Sequence, residues 1–177
     1  QQREIVYDRR TYALTGKTID REVNEIMDEY VDVLIETYCN SSNPQDWGWD
    51  DFFEETLQTF SLDIKSEKNH IDTNEELREM VSQGANSILS YKKETVNENL
   101  FDQFQKWVVL RTIDEKWREH LAAMDQLREG IGLRAYGQKN PLIEYKQEGF
   151  AMFAEMMVET NQETLKRIFR TNIQQAE

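Results

Sequence analysis

Two long segments with apolar side chains at helical spacing, joined by a short polar turn, constrain the fold more than any other feature of this chain. The first segment begins near Phe101, and its apolar residues recur mainly every three or four positions, which lays them along one side of a helix. They are Phe104, Val108, Leu110, Ile113, Trp117, Leu121, Met124, Leu127 and Ile131. We expect Trp117, Leu121 and Met124 to lie in a core. Roughly thirty helical residues make a rod of about 45 Å.

Glycines and a proline mark the turn between the two segments. Gly130, Gly132 and Gly137 are expected to end the first helix, because glycine is a poor helix former. Pro141 favours the start of the return helix, since proline is tolerated at the first helical position. The return segment has an apolar series of its own. Its members are Leu142, Phe150, Phe153, Met157 and Leu165. Two facing apolar series on antiparallel helices predict a long helical hairpin.

The chain before the hairpin also reads as helical, so the predicted fold is all-α. Residues 1–14 predict one helix, and a second follows with apolar residues again at helical spacing. These are Ile19, Val23, Ile26, Tyr30, Leu34 and Tyr38. Residues 47–53 are an aromatic and acidic helix start that we expect to form a small satellite core. Residues 61–71 have weak periodicity and predict a loop.

A capping box opens the last predicted helix before the hairpin. Thr73 and Glu76 have the spacing at which each side chain satisfies a backbone N–H near the other residue. The helix is expected to run to about Asn97, with an apolar series of five residues. The series is Leu77, Met80, Val81, Ile88 and Tyr91.

The composition fits a helical chain and limits its class. Only two of the 177 residues are Pro and seven are Gly, which favours helix throughout. No apolar run approaches the roughly 20 residues of a membrane span. The single cysteine, Cys39, has no partner for an internal disulfide, which fits a reducing compartment. The first residue is Gln, so we expect the sequence to be a piece of a longer protein.

The charge is distributed unevenly along the chain. Residues 20–98 contain 20 acidic and 6 basic side chains, a net charge of −14, whereas residues 99–177 contain 12 acidic and 11 basic ones. Such an acidic surface repels phosphate backbones, so we expect no nucleic-acid partner. The turn differs, because four basic and two acidic side chains lie between Arg128 and Lys146. Taken alone, a mildly basic tip is explained by an ordinary solvated loop.

A search for catalytic groups finds none that is convincing. The sequence has neither a phosphate-binding P-loop nor a dinucleotide fingerprint after a strand. His70 falls in the predicted loop, and His120 lies on a helix face that we expect to be salt-bridged. A helical metal site needs ligands three or four residues apart, and the residue three before His120 is Trp117. We therefore expect no catalytic, cofactor or metal site in these residues, and the enzyme class stays open.

Three short sequence motifs of the hairpin strongly resemble those of one family. Trp-Arg-Glu-His-Leu-Ala-Ala-Met-Asp at 117–125, Leu-Arg-Ala-Tyr-Gly-Gln-Lys-Asn-Pro at 133–141 and Glu-Tyr-Lys at 144–146 resemble the two-helix finger of SecA, the ATP-driven motor of bacterial preprotein translocation. The opening Gln-Arg-Glu-Ile-Val-Tyr is similar to the end of that family's scaffold helix. The resemblance implies three parts: residues 1–16 as the scaffold helix end, 17–98 as the helical wing domain, and 99–177 as the finger with the helix end that follows.

The resemblance also implies what the tip does. Tyr136 matches the finger tyrosine that touches the moving polypeptide, and Arg134 and Lys139 flank it. Ala135 and Gly137 are exchanged relative to the usual family pattern, and Asn140 replaces the usual Asp, but these changes keep a small tip. ATP and Mg²⁺ are expected to bind in domains outside these residues, so that the fragment itself holds no cofactor.

The partners implied by the resemblance are the Sec channel (SecY, SecE and SecG), an unfolded preprotein, an anionic membrane surface and a second copy of the parent protein. The implied location is cytoplasmic, and peripheral on the inner face of the plasma membrane. Two other classes remain open from the residues alone. One is a standalone acidic helical adaptor that holds a basic partner, and the other is a metal-dependent helical-bundle enzyme.

Overall fold

A computed structural model of the chain describes residues 1–134 and 140–174, without the side chain of Arg134. These residues form six α-helices and two short 3₁₀ helices, and the described part of the chain has no β-strand. The α-helices are α1 Gln2–Thr15, α2 Asp20–Tyr38, α3 Trp49–Phe60, α4 Asn74–Val96, α5 Glu98–Arg134 and α6 Pro141–Arg170. The 3₁₀ helices are Pro44–Asp46 and Lys65–His70. The predicted all-α class is confirmed, with α5 and α6 as the hairpin and α1 packed against α5.

Two helix starts follow from their sequences. The Thr73 hydroxyl accepts a hydrogen bond from the Glu76 N–H (3.2 Å), which confirms the capping box that opens α4. The Glu76 carboxylate in turn accepts from the backbone N–H of Asp72 at 2.8 Å. Asn140 caps α6 through a bond from the Leu142 N–H to its side-chain oxygen (3.0 Å), and Pro141 occupies the first helical position as predicted.

The first arm of the hairpin is longer than the sequence predicted. Gly130 and Gly132 were expected to end it, but α5 continues through both to Arg134. A helical glycine costs only about 1 kcal/mol relative to alanine, and buried Leu127 and Ile131 hold this turn of α5 in place. Gly137, the third predicted breaker, lies outside the described residues. The expectation for residues 61–71 was also incomplete, because Lys65–His70 forms a 3₁₀ helix.

The main hydrophobic core joins α2, α3 and α4 to the beginning of α5 and the end of α6. Aromatic rings cross between helices, as where Phe60 of α3 meets Phe169 of α6 edge to face with ring centroids 5.0 Å apart. The aromatic segment at residues 47–53 belongs to this core, so the prediction of a separate satellite core is wrong. Its indole N–H groups reach backbone carbonyls nearby: Trp47 donates to Ser41 and Trp49 to Pro44.

A smaller apolar cluster fixes α1 to the hairpin. It contains Val6 of α1, Ile113 of α5, and Phe153 and Met156 of α6, with Trp117 and Met157 packed around it. His120 belongs to the same region, because its ring stacks on Trp117 and its side chain is only 4 % exposed. The predicted salt-bridged face exists, because Lys116 pairs with Glu119 and Arg111 with Glu115. His120 itself is buried beside this face, so its predicted position on it is wrong.

A buried polar network ties three helices together. The Arg9 guanidinium of α1 lies 3.0 Å from the Glu22 carboxylate of α2 and donates to the Asn161 side-chain oxygen of α6 at 2.8 Å. Asn161 donates in turn to Glu29 at 2.9 Å. Burial raises the pKa of Glu22 above its usual range, and the facing Arg9 only partly opposes that rise. The network sets how α1 lies against the other two helices.

Four residues of the predicted apolar series are exposed. They are Tyr91, Leu121, Leu142 and Phe150. Tyr91 points away from the face of α4 that packs on α2. The other three lie in the part of the hairpin beyond the main core, where few neighbouring helices are available to cover the apolar surface of each arm. The expectation of a core position holds for partly buried Trp117 and Met124 and fails for Leu121.

Candidate functional site: the distal hairpin

The distal hairpin, defined here as residues 121–134 of α5 and 140–150 of α6, lies beyond the point where α1 packs. That point is marked by Gln2, whose side-chain oxygen is 2.9 Å from Nε2 of His120. The amide nitrogen of the same side chain donates to the backbone carbonyl of Gly149 at 3.3 Å. Gln2 is also the first residue of α1. Apart from the edge that meets α1, the described residues of the distal hairpin are held by packing between its own two arms.

A narrow buried seam keeps the two arms together. Leu127 and Ile131 of α5 are buried in it. Gly149 of α6 is buried against Met124 of α5, so closely that a Cβ at position 149 would stand 2.8 Å from the methionine methyl group. A small residue on one helix lets the other approach, and here it allows the arms to close. The seam makes the distal hairpin a two-helix rod rather than two separate helices.

Large apolar side chains face solvent around this seam. Leu133 is 83 % exposed and Phe150 is 73 % exposed, the two highest values among the large apolar residues in the described chain. Leu121, Leu142 and Ile143 are also exposed. Single exposed apolar residues are common, but a group of them on one projecting element marks an interaction surface. The distal hairpin therefore has the composition of a contact surface.

The three residues predicted to contact polypeptide belong to this element, but the structure tests none of them. Arg134 is the last residue of α5. Tyr136 and Lys139 lie outside the described residues, as does the side chain of Arg134. The described residues on both sides, Leu133 and Asn140, are exposed. The structure thus places the beginning and the end of the predicted tip, and the roles of the three residues remain predictions.

The base of the hairpin is fixed by a polar clasp. The Arg167 guanidinium of α6 donates to the Thr112 hydroxyl at 3.0 Å and to the Glu115 carboxylate at 2.9 Å, both on α5. It also donates to Glu163 of its own helix at 3.1 Å. The hydrogen bond from Arg167 holds the pKa of the Glu115 carboxyl below its usual range. The two bonds that this planar group makes to α5 restrict sliding of the two helices past each other.

His120 lies where the base meets the distal hairpin, and it borders a cavity that Lys116, Glu119 and Glu159 also line. Burial lowers the pKa of its imidazole, so the ring is neutral near pH 7. Its ring packs between Trp117 and Phe153. In the described ranges, no group of three or more His, Cys, Asp or Glu side chains is arranged to hold a metal ion. A search of the same residues finds no helix able to span a membrane.

The sequence did not predict which apolar residues of the distal hairpin are exposed. Leu142 and Phe150 were assigned to the buried seam, and Leu133 was not singled out. Spacing alone places residues on a helix face, but it does not say whether a third element covers that face. A usable signal was present in the glycines: Gly149 next to Phe150 marks the side on which the arms close, which turns Phe150 outward.

These features define a class: an all-α module in which a compact helical wing and a scaffold helix support a long hairpin with an apolar end. The sequence profile of the SecA wing and scaffold domain matches residues 1–172. The chain is 37 % identical over 172 residues to the protein translocase subunit SecA of Prosthecochloris aestuarii, covering 96 % of this chain and 16 % of that protein. It is 34 % identical over 178 residues to that of Pelotomaculum thermopropionicum, covering 99 % and 20 %.

The match to the corresponding subunit of Heliobacterium modesticaldum is similar, with 33 % identity over 174 residues, 98 % of this chain and 21 % of that protein. The chain therefore belongs to the SecA family, and it corresponds to the wing and scaffold domain. It spans only about a sixth to a fifth of the length of these relatives.

Proposed function

We propose that this chain is the wing-and-scaffold part of a protein translocase subunit, and that its distal hairpin contacts polypeptide on its way through the Sec channel. The observation that carries the proposal is the group of exposed apolar side chains, Leu133, Leu142, Ile143 and Phe150, at the end of a hairpin whose base is firmly packed. Apolar contact is tolerant of sequence, which is what a surface that handles many different chains requires.

The packing of α6 supports a mechanical role. Its thirty residues give a rod of about 45 Å that begins in the distal hairpin and ends in the main core. Leu165, Ile168 and Phe169 are fully or almost fully buried at the core end. Close-packed helices move as bodies instead of deforming. A displacement of the wing and scaffold would therefore carry the distal hairpin with it.

We assign the direct grip on the polypeptide to Tyr136, with Arg134 and Lys139 beside it. A tyrosine ring offers apolar area and a polar hydroxyl, so it can hold unlike side chains without demanding a particular sequence. The two cations supply donors for backbone carbonyls or acidic side chains. The exposed apolar residues of the distal hairpin extend the same surface along both arms.

The remaining parts of the machine lie outside this chain. ATP and Mg²⁺ bind, in this proposal, to domains of the parent protein that supply the energy for movement. The partners are the Sec channel formed by SecY, SecE and SecG, the unfolded preprotein and, near the membrane, anionic lipid. The parent acts in the cytoplasm and peripherally at the inner face of the plasma membrane, as a monomer or a homodimer.

The decisive experiment replaces the tip tyrosine in the full-length protein. Tyr136→Ala should slow the transport of a preprotein into membrane vesicles, because the contact with the polypeptide is lost. It should leave ATP hydrolysis largely intact, because the ATPase domains are unchanged. Tyr136→Phe is the matched control, since it keeps the ring, and it should retain most of the transport rate. Unchanged transport in Tyr136→Ala would refute the assignment of this residue.

A second pair of variants tests the apolar surface of the described residues. Phe150→Ala removes an exposed ring from the distal hairpin, and Leu57→Ala removes an exposed apolar side chain from α3, far from the hairpin end. We expect slower transport in Phe150→Ala and normal transport in Leu57→Ala, with equal thermal stability of the isolated chain. Equal transport in both variants would contradict a role for this surface.

A further inference from the structure

A cavity of about 550 Å³ lies between α4, the beginning of α5 and the segment that follows α6; we call it the α4 pocket. Its size falls within the range of natural ligand sites. Half of its twelve lining residues are apolar, and they come from all three sides. They are Ile88, Tyr91, Val96, Phe101, Phe169 and Ile173. This pocket is far from the distal hairpin along both α5 and α6, and the proposed translocation role does not use it.

The charge of the α4 pocket is opposite to that of the protein. Two of the twelve lining residues, Lys92 and Arg170, are basic, and none is Asp or Glu. The whole chain has 34 acidic and 21 basic residues. An acid-free lining with two cations therefore differs from the acidic balance of the chain as a whole, and it favours a negatively charged ligand.

Among the described residues, the two cations have backbone carbonyls and no carboxylate as partners. The Lys92 ammonium donates to the backbone carbonyl of Thr171 at 3.2 Å, and the Arg170 guanidinium donates to the carbonyl of Gln58 at 2.9 Å. A carbonyl oxygen satisfies a hydrogen bond but carries only a partial charge, whereas a carboxylate would neutralise the cation. Burial lowers the pKa of Lys92, as expected for an ammonium that no carboxylate compensates.

One wall of the α4 pocket is itself a stretch of extended backbone. The backbone leaves α6 in an extended conformation at Thr171 (φ −80°, ψ 125°), and the residues that follow form one wall of the pocket. Ile173 packs from this wall against the main core. Opposite it, the Tyr91 ring is 68 % exposed, although tyrosine is among the residues that most often anchor protein interfaces.

We propose that the α4 pocket binds an extended peptide segment of a partner protein in which acidic and apolar side chains alternate. Alternate side chains of an extended peptide point to opposite sides. The acidic side chains would face Lys92 and Arg170, and the apolar ones would pack on Tyr91 and Ile88, which line the pocket and are not fully buried. The charge complementarity selects such a partner over a basic or neutral one, because the pocket contains no acidic group to receive a cation.

The test uses a fluorescein-labelled hexapeptide of alternating glutamate and leucine, with fluorescence anisotropy as the measure of binding to the intact chain. A second peptide with glutamine in place of glutamate keeps the length and the apolar groups. We expect the glutamate peptide to bind and the glutamine peptide to bind about tenfold more weakly or worse. Equal affinity for the two peptides would overturn the proposal, because it would mean that the cations are not used.

Substitutions then locate the site. Thr95→Glu places a negative charge in the pocket lining, and Thr95→Gln is the neutral control of the same size. Binding should fall about tenfold in the first variant relative to the second. The double variant Lys92→Gln, Arg170→Gln should also lose binding, while Lys166→Gln, on α6 but outside the pocket, should not. Circular dichroism on each variant separates loss of binding from loss of fold.

Two outcomes of these substitutions would refute the α4 pocket as the site. One is equal binding by the two Thr95 variants, and the other is equal weakening by Lys166→Gln and by the double variant, which would indicate a general charge effect. A third measurement compares the full chain with a chain that ends at Gln174. Binding of the glutamate peptide by the shorter chain alone would mean that residues 175–177 keep the peptide out of the pocket, and it would overturn binding of a partner to the full chain.

Discussion

At the scale of single residues, Asn97 joins two helices in a backbone conformation that favours glycine. It is the one residue between α4 and α5, with φ 146° and ψ 130°. Its side-chain oxygen accepts from the N–H groups of Asn99 and Leu100, at 3.0 and 3.2 Å, and so caps α5. The residue therefore combines a cap, which stabilises, with backbone strain, which does not.

Substitution of Asn97 separates these two effects. Asn97→Ala keeps the strain and loses the cap, so the free energy of unfolding should fall by about 1 to 2 kcal/mol. Asn97→Gly loses the cap but relieves the strain, so the change should stay within about 0.5 kcal/mol. Urea unfolding of both variants measures the difference. If the glycine variant were the less stable of the two, the strain at this junction would be absent.

Glu22 provides a pH test of the buried network. Burial, opposed by Arg9, raises the pKa of Glu22 in the folded state. When the pH rises above the usual pKa of Glu, the Glu22 carboxyl of the unfolded chain loses its proton, whereas the same carboxyl in the folded chain keeps it. The folded state is therefore destabilised progressively until the pH reaches the raised pKa. Glu22→Gln cannot titrate. The stability of the native chain relative to Glu22→Gln should therefore decrease as pH rises above 4.5, the usual pKa of Glu, and level off above the raised pKa. Parallel stability curves would contradict the raised pKa.

At the scale of the helix, replacing the two glycines of α5 should raise the stability of the protein. Apart from the neighbouring backbone of α5 itself, no described atom lies within 4 Å of the position where a Cβ would stand on Gly130 or Gly132. Alanine at either site should therefore raise the free energy of unfolding by up to about 1 kcal/mol through helix propensity alone. Gly16→Ala is the contrasting variant, because its Cβ would lie 2.6 Å from the Tyr12 carbonyl oxygen, and it should destabilise. Thermal unfolding compares the three variants.

The stability of α5 also has a functional side. If the glycines serve bending of the distal hairpin during transport, the double variant Gly130→Ala, Gly132→Ala in the full-length protein should be more stable and slower in transport. A stabilised variant with unchanged transport would indicate that the arm works as a straight rod. Loss of stability in the double variant would mean that α5 ends before Gly130, as the sequence alone predicted.

How far the sequence determined these elements depends on what each inference needed. Helical periodicity and the helix-start signals at Thr73 and Pro141 depend only on nearby residues, so they located the helices well. The end of α5 was misjudged because a helix continues through glycine when its neighbours are buried, and that burial depends on α6. The Arg9 network was not foreseeable, since Arg9 and Asn161 are 152 residues apart. Exposure of Phe150 required knowing that α1 packs only as far as Gln2.

At the scale of the whole molecule, the hydrophobic core is continuous across the predicted boundary between a wing at residues 17–98 and a hairpin at 99–177. Phe60 of the predicted wing packs on Phe169 of α6, and Tyr30 shares a hydrogen-bonded network with Glu55 and Gln162. Two regions that share buried rings and buried polar groups unfold together, because separating them exposes both. The boundaries describe sequence regions, and they need not be units of unfolding.

Native-state hydrogen exchange tests this cooperativity directly. We expect the slowest amides of α2, α3 and residues 161–169 of α6 to share one opening free energy, equal to that of global unfolding by urea. Amides of the distal hairpin should open at lower free energy, because only its two arms pack together there. A core of α2, α3 and α4 that opened below the rest would make the wing an independent domain. The proposed mechanical role requires α2, α3 and α4 to stay folded together with the base of the hairpin, since a displacement of the wing reaches the distal hairpin only through that base.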